Sequence, residues 1–337
     1  MNFRQKISCI LVFAMLASTS AFAQLLPSFG NSRTGTSGFQ FLKIAPDARS
    51  ASLAGSTSAF TNDLSAVFWN PAGLSSMDSN QYQFQFGHTS YFTGLEMNYA
   101  AIGYTKRHLN YWAFSIIYFT TEEMPVTTEF QPEGNGLVFY ASNFLATMSF
   151  AKVLSDNFSF GLNAKYLEED IAGIKARNGI FDVGFIYKIG FNGKTKFSAN
   201  MSNFGFNVSP TGEVTINTLK GPKTYNDFEN LSVPAVFRMG LSTVIFQSDL
   251  HSLGAAIQLT HPTDNNETVS FGIEYGFKKF LFLRSGYEFG TDMRESPSAG
   301  IGLNFQRYFG RIRFDYSFNN RALFGNIHRL TLGIAIK

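Results

Sequence analysis

Phe158-Ser159-Phe160-Gly161-Leu162-Asn163-Ala164-Lys165-Tyr166 places apolar residues at even positions and small or polar ones at odd positions. Side chains alternate faces along a strand, so this stretch has one apolar and one polar face. The pattern recurs on both sides, in Tyr82-Gln83-Phe84-Gln85-Phe86, in Phe197-Ser198-Ala199-Asn200-Met201-Ser202 and in Ile312-Arg313-Phe314-Asp315-Tyr316-Ser317-Phe318. Fourteen segments read as strands: 81–90, 97–106, 110–119, 143–152, 157–167, 179–189, 196–203, 235–245, 251–261, 267–277, 280–289, 298–306, 311–318 and 328–337. The count is even, as single-chain bacterial barrels require. Most segments are about as long as a tilted membrane strand, roughly 9–11 residues.

The links between these segments point the same way. Those after even strands are short, such as Arg107-His108-Leu109, Val153 to Asp156 and the Asn192-Gly193 turn. Those after odd strands are mostly longer, with Thr120–Ser142 and Phe204–Pro234 the longest and Glu168–Asn178 and Asn319–Ile327 next. One short rim and one long rim belong to an all-β, antiparallel transmembrane barrel of fourteen strands, with both termini periplasmic. A secreted two-sheet sandwich is the competing reading of the alternation alone, but it predicts no such rhythm in the links.

Composition narrows the class. Of 337 residues, 15% are charged, below the roughly 25% of soluble domains, and 16% are aromatic. After the leader no run of 18 apolar residues occurs, so helical membrane spans are not expected. Tyr91, Phe92, Tyr111, Trp112, Tyr118, Phe119, Tyr187, Tyr275 and Phe289 fall near strand ends, where interfacial aromatic girdles form. Residues 1–23 read as a secretory signal peptide, with basic Arg4 and Lys6, an apolar stretch too short to span, and Ala21-Phe22-Ala23 as the cleavage site. The one cysteine, Cys9, lies inside that leader, so the mature chain has no disulfide and no thiol nucleophile. The net charge of +3 falls by two when Arg4 and Lys6 are removed, which gives no reason to expect nucleic acid as a partner.

Residues 24–80 do not alternate. Phe39 to Ile44 reads as a short strand, and Asp47 to Phe60 is crowded with Ala, Ser and Gly. Asn62 or Asp63 is placed to cap a short helix through Trp69 that stops near Pro71. About fifty residues are few for an independent domain. The reading is therefore three parts: the leader 1–23, a plug segment 24–80 in or under the lumen, and the barrel 81–337. Val67-Phe68-Trp69-Asn70-Pro71-Ala72-Gly73-Leu74 anchors the plug in that reading. A separate periplasmic arm is the alternative.

Phe41-Leu42-Lys43-Ile44-Ala45-Pro46-Asp47-Ala48-Arg49, then Ala54-Gly55, Asn62-Asp63 and Trp69-Asn70-Pro71-Ala72-Gly73-Leu74, resembles the N-terminal signature of the PorV/PorQ family. Val233-Pro234-Ala235-Val236-Phe237-Arg238-Met239-Gly240, Leu283 to Tyr287, Phe314-Asp315-Tyr316 and His328 to Leu332 are similar to later family segments. The likeness covers almost all of the mature chain. It implies a FadL-like barrel with an N-terminal plug in the outer membrane of a Gram-negative bacterium. It also implies a non-enzymatic part in type IX protein secretion. Expected partners are the translocon, cargo proteins with C-terminal signal domains, and outer-membrane lipid and lipopolysaccharide. The plug motif then comprises Asp47, Arg49, Trp69, Asn70, Pro71, Ala72 and Gly73. FadL-type channels also carry an Asn-Pro-Ala element, so a passive transporter of hydrophobic small molecules is the alternative. Two departures favour the secretion branch: the ending Ile334-Ala335-Ile336-Lys337, where many barrels end in an aromatic residue, and a chain shorter than FadL channels.

If the large apolar positions face lipid, then Asp182, Arg238, Glu274, Arg284, Arg313, Asp315 and Arg329 face the lumen. Charges of both signs there form either a structural network tying plug to wall, with Asp47 and Arg49 as plug partners, or a polar ligand site. The two long links are apolar for loops and carry Met124, Phe130, Phe139, Phe206, Tyr225 and Phe228. They either meet a partner or fold over the barrel mouth as a lid. Enzyme chemistry is weakly signalled. His88-Thr89-Ser90 lacks a third orienting group, and no Gly-x-Ser-x-Gly occurs. The five histidines have no ligand spacing, so neither metal nor cofactor is expected.

Overall fold

Strands with one apolar face must close or stack to satisfy their edges, and here they close. The computed structural model describes residues 35, 37–77, 82–106, 110–128, 131–190, 193–218, 221–291, 297–308, 310–321 and 325–336. The leader Met1–Ala23, the Arg107–Leu109 link and Phe130 lie outside them. In chain order the strands are β1 (Tyr82–Ser90), β2 (Glu96–Lys106), β3 (Asn110–Thr120), β4 (Met124–Pro125), β5 (Val138–Phe139), β6 (Ala141–Val153), β7 (Phe158–Ile171), β8 (Ile174–Ile189) and β9 (Thr195–Gly205). There follow β10 (Val214–Thr218), β11 (Gly221–Tyr225), β12 (Val236–Gln247), β13 (His251–Pro262), β14 (Thr268–Phe277), β15 (Leu281–Phe289), β16 (Ser298–Arg307), β17 (Gly310–Asn320) and β18 (Asn326–Ile336). β4 pairs with β5 and β10 with β11 as two small hairpins; the other fourteen strands form one closed antiparallel barrel. β1 and β18 complete the circle from Tyr82↔Ile336 to Ser90↔His328. Every backbone donor along that seam gains a partner, which a lipid environment demands.

The alternation sorts side chains between lipid and lumen. On β3, Trp112, Phe114, Ile116 and Tyr118 are exposed outward, while Tyr111, Ala113, Ile117 and Phe119 are buried inward. Tyr111 and Phe119 are therefore not girdle residues. Both faces of β3 are apolar, so composition alone did not tell them apart.

The interior has two halves. Over β2, β3, β6, β7 and β8 the lumen is an apolar core of Met97, Tyr99, Tyr111, Ile117, Leu145, Leu167 and Ile180 against Phe41, Leu64, Phe68 and Trp69. Over β14, β15 and β17 it is charged, and a second buried ion pair, Lys165–Asp182, sits on β7 and β8 beside the apolar part.

Two features differ from the strand reading. Glu168–Asn178, expected as a loop, continues β7 and β8 into a long hairpin. Its rungs carry Glu168 opposite Arg177 and Asp170 opposite Lys175, and it turns through Ala172 and Gly173, both at positive φ. Cross-strand charge pairs and a primed-type turn extend the ladder into water. On β9, Ser202 and Asn203 both face inward because the ladder shifts against β8 between Phe181 and Val183. This is a β-bulge, with Asn203 at φ 61° and its N–H donating to Asp182 Oδ1 at 2.7 Å.

Residues 37–77 lie against the inward faces of the wall. Phe39–Ile44 is not a strand: Gln40–Lys43 forms a 3-10 turn that buries both Phe41 and Leu42. A strand would have pointed those two side chains to opposite faces, and the closed barrel leaves no edge to pair with. Ala48–Ser52 is a helical turn capped by Asp47, which accepts from Ser50 N. Ala66–Trp69 is a second turn; Asn70 is extended, and Pro71 opens a 3-10 turn over Pro71–Ser76 instead of only ending the helix. Wall glycines let this backbone approach closely. A Cβ at Gly161 would strike Pro71 and Ala72, one at Gly184 Asn70, one at Gly286 Leu53 and Ala54, and one at Gly87 the carbonyl of Pro46.

Candidate functional site

The charged half of the lumen is a closed ring of alternating ions. Arg49 Nε lies 2.9 Å from Glu274, Glu274 accepts Arg284 Nε at 2.6 Å, and Arg284 Nη1 reaches Asp315 at 2.7 Å. Arg313 Nε sits 2.8 Å from Asp315 Oδ2, and its Nη2 pairs with Asp63. Arg49 Nη1 returns to Asp63 at 3.6 Å and donates to Asn62 Oδ1 at 2.8 Å. The 2.8 Å Arg313–Asp315 contact is ionic, since neither atom makes an aligned hydrogen bond. Three cations and three anions thus neutralise one another. Two ring members belong to the N-terminal segment and four to the wall. Burying charge is tolerable only when every ion has partners of this kind.

Asp63 and Asp47 respond oppositely to this setting. Burial alone would raise the Asp63 carboxyl, but Arg313 and then Arg49 outweigh it and hold it well below the ordinary carboxylate range. Asp63 Oδ1 also accepts from Ser65 N at 2.9 Å, but the helical turn begins after Ser65, which makes no side-chain cap bond, so neither Asn62 nor Asp63 caps it as expected. Asp47 is not a ring member. It accepts from Ser50 N at 2.7 Å and Trp69 Nε1 at 2.9 Å, and burial, with Asp63 nearby, pushes its carboxyl up.

The remaining plug-motif residues serve the backbone. Asn70 Oδ1 accepts from Ala72 N, while its Nδ2 donates to Ser58 O and Phe185 O, so one side chain ties two segment turns to β8. Gly73 packs where a Cβ would meet Thr61 and Ala66. Further ties run from Tyr99 OH to Leu64 O, Asn163 Nδ2 to Val67 O, Ser242 Oγ to Ala59 O, and Ala48 N to Thr331 Oγ1.

The seven wall charges do not form one network. Glu274, Arg284, Arg313 and Asp315 are in the ring. Asp182 belongs to a separate cluster on β7–β9, with Lys165 Nζ at 2.6 Å, Asn163 Nδ2 at 2.6 Å and the Asn203 N–H of the bulge. Arg238 and Arg329 are in neither. Arg238 donates to Ser202 Oγ at 3.1 Å and lies 5.5 Å over the Trp69 ring. Arg329 donates to Ala45 O at 3.0 Å and Asn319 Oδ1 at 2.7 Å. Among the described residues neither has a carboxylate at ion-pair distance. Both line a cavity of about 670 Å³ that opens between the turns of the long-loop rim. Lys165 and Asp63 were missed as ionic partners in the sequence, although Lys165 sits at an inward position of the FSFGLNAKY alternation.

On the same rim stand the two small hairpins. Phe206 is 78% exposed and Tyr225 is exposed; Met124, Phe139 and Phe228 are half-buried, and Leu137, Val138 and Tyr140 are exposed beside them. No group of metal-ligating side chains occurs among the described residues, and no described helix is long and apolar enough to cross a membrane.

Comparison with known proteins gives a family and a fold. The model of a family described as type IX secretion system protein PorV matches residues 28–208. No protein of curated description matches the chain. Among solved structures, the Ralstonia pickettii toluene transporter TbuX superposes with a TM-score of 0.59 at 14% identity, over 88% of this chain and 98% of that one. The Pseudomonas putida toluene transporter TodX gives 0.55 at 14% identity, over 87% and 97%. A Pseudomonas aeruginosa FadL homologue gives 0.54 at 12% identity, over 87% and 98%. At such identities the likeness is one of fold.

Proposed function

The chain belongs to the PorV family of type IX secretion outer-membrane proteins, and on that premise we propose that it receives exported proteins at its long-loop rim. It holds them, or passes them between the translocon and the surface-attachment machinery, without catalysing a reaction. The long-loop rim faces outward, β18 ends on the periplasmic side, and residues 24–80 act as a plug. The observation that carries this reading is a contrast within one molecule. The lumen is filled by a segment pinned through an ion ring, whereas apolar side chains such as Phe206, Leu137 and Tyr140 stand exposed on the loops. Exposed apolar groups on loops serve contacts.

A second reading, passive transport of hydrophobic small molecules, is favoured by the cavity under the long-loop rim. It needs an onward path. β3 pairs with β2 and β6 without a shift, and the β9 bulge keeps both neighbours, so no side exit opens at these strands.

The test is a tagged pull-down from mildly solubilised outer membrane of the native host, read by mass spectrometry. Recovery of a very large barrel, or of secreted proteins sharing a C-terminal domain, is expected. Recovery of this barrel alone with bound fatty acid would favour the transporter.

A further inference from the structure

The N-terminal segment begins at one rim and ends at the other. Gly38 N donates to Ser232 O at 3.1 Å, and the Ser37 and Ser232 hydroxyls lie 3.1 Å apart. Ser232 belongs to the link between β9 and β12. Phe39 N donates to Glu169 Oε2 at 2.9 Å, near the tip of the β7–β8 hairpin. Gln40 Nε2 and Lys43 Nζ reach Asp264 Oδ2 at 2.8 and 3.0 Å, in the link between β13 and β14. All three partners stand on the long-loop rim. At the far end of the segment Ser76 Oγ accepts from Lys196 Nζ at 3.1 Å, at the start of β9, which rises from a short link. β1 opens on that same short-link rim, where Tyr82 pairs with Ile336 at the end of β18.

Residues 37–77 therefore thread the lumen from rim to rim, with Arg49 and Asp63 of the ion ring between. Gly35 is exposed, whereas Phe39, Phe41 and Leu42 are buried just inside. The closed wall and the filled lumen block a return path for the chain before Gly35. The even strand count places the start of β1 and the end of β18 on one side, but it does not constrain a segment that precedes β1.

We propose that the chain preceding Gly35 is displayed on the outer face of the membrane, across it from the end of β18, and adds a peptide to the surface that meets exported proteins. Leu25, Leu26 and Phe29 make that peptide apolar, like the exposed Phe206 on the same rim. The contact depends on the cargo reading above; the display depends only on which rim faces outward. Of residues 24–80, the part inside the lumen then starts beyond Gly35. A plug threaded in this way cannot swing into the periplasm as a hinged arm, because its outer end would first have to pass down the lumen.

Cys9 is the one cysteine of the sequence, so the unsubstituted chain is the blank for thiol labelling. Ser32→Cys, Leu137→Cys on the long loops and Tyr308→Cys on a short link would be treated in native-host cells with a membrane-impermeant maleimide, before and after permeabilising the outer membrane. Ser32→Cys should react in intact cells together with Leu137→Cys, and Tyr308→Cys only after permeabilisation. Ser32→Cys reacting only after permeabilisation, or only after denaturation, would overturn the display. Tyr308→Cys reacting in intact cells while Leu137→Cys does not would reverse the barrel and overturn the display with it. For the contact, a photo-reactive amino acid at Phe29 should capture the same secreted proteins as one at Phe206. Adducts from 206 without any from 29 would overturn the contact and leave the cargo reading standing. Adducts from neither would remove the cargo reading, and the contact with it.

Discussion

Arg49 stands between Glu274 and Asp63, and the ring depends on it because it joins the N-terminal segment to β14. Arg49→Gln should cost about 3–5 kcal/mol, the usual penalty for stranding buried ions. Glu274→Gln should cost a similar amount, and the double variant much less than the sum. Urea unfolding in lipid vesicles measures this; additivity within about 0.5 kcal/mol would mean that the two sites are uncoupled. The two carboxylates of the N-terminal segment, Asp63 and Asp47, set opposite pH trends. Asp63 has a folded pKa below its ordinary 3.8, so the unfolded chain binds the extra proton first. Its stabilisation is complete above that value and is lost as pH falls below it. Asp47 has a folded pKa above 3.8, so its contribution weakens as pH rises through the window between the two values. The unfolding midpoint of Asp47→Asn should therefore lack a rise on mild acidification that the native chain shows. Asp63→Asn should flatten only the loss below about pH 4, following the 3.8 reference. An Asp63-dependent loss centred at pH 5–6 would contradict the assignment.

Packing of the segment against the wall is an affair of whole elements, and Gly161 on β7 measures it. Gly161→Ala pushes a methyl into the Pro71–Ala72 backbone, which cannot swing aside as a side chain would. A loss of about 1–3 kcal/mol is expected, as for overpacked cores. Gly333→Ala, where the nearest atom is 3.8 Å away, should change little. Equal effects at both sites, again by unfolding midpoint, would mean that the segment does not bear on β7. Much of this architecture was legible beforehand. Period-two strands such as Phe158–Tyr166 and alternating short and long links follow from backbone geometry, which a single sequence displays. What stayed hidden depends on tertiary context. Tyr111 and Phe119 were misplaced because β3 is apolar on both faces. Phe39–Ile44 has strand composition but no edge to join. The bulge at Asn203 and the partition of the wall charges need distances across the lumen. The inward parity of Arg238 could be read; its lack of a carboxylate could not.

At the scale of the whole molecule, the N-terminal segment is pinned to the wall by the ion ring, and the long loops carry exposed apolar side chains. Asn70→Ala with Pro71→Ala removes the tie to β8 and the start of the 3-10 turn. Cells carrying this variant at normal protein levels should become more permeable to large antibiotics; unchanged permeability would count against the plug. Exposed apolar residues stand on both rims: Phe206, Leu137 and Tyr140 on the long loops, and Leu154, Leu250 and the fully exposed Tyr308 on the short links. The most direct test of the central claim is photo-crosslinking in the native host, from a reactive amino acid placed at Phe206 or, as control, at Tyr308. Adducts from position 206, and not from 308, to a large translocon barrel or to secreted proteins with a C-terminal signal domain are predicted. No protein adduct from 206, or the same adducts from both positions, would contradict a secretory role for this rim.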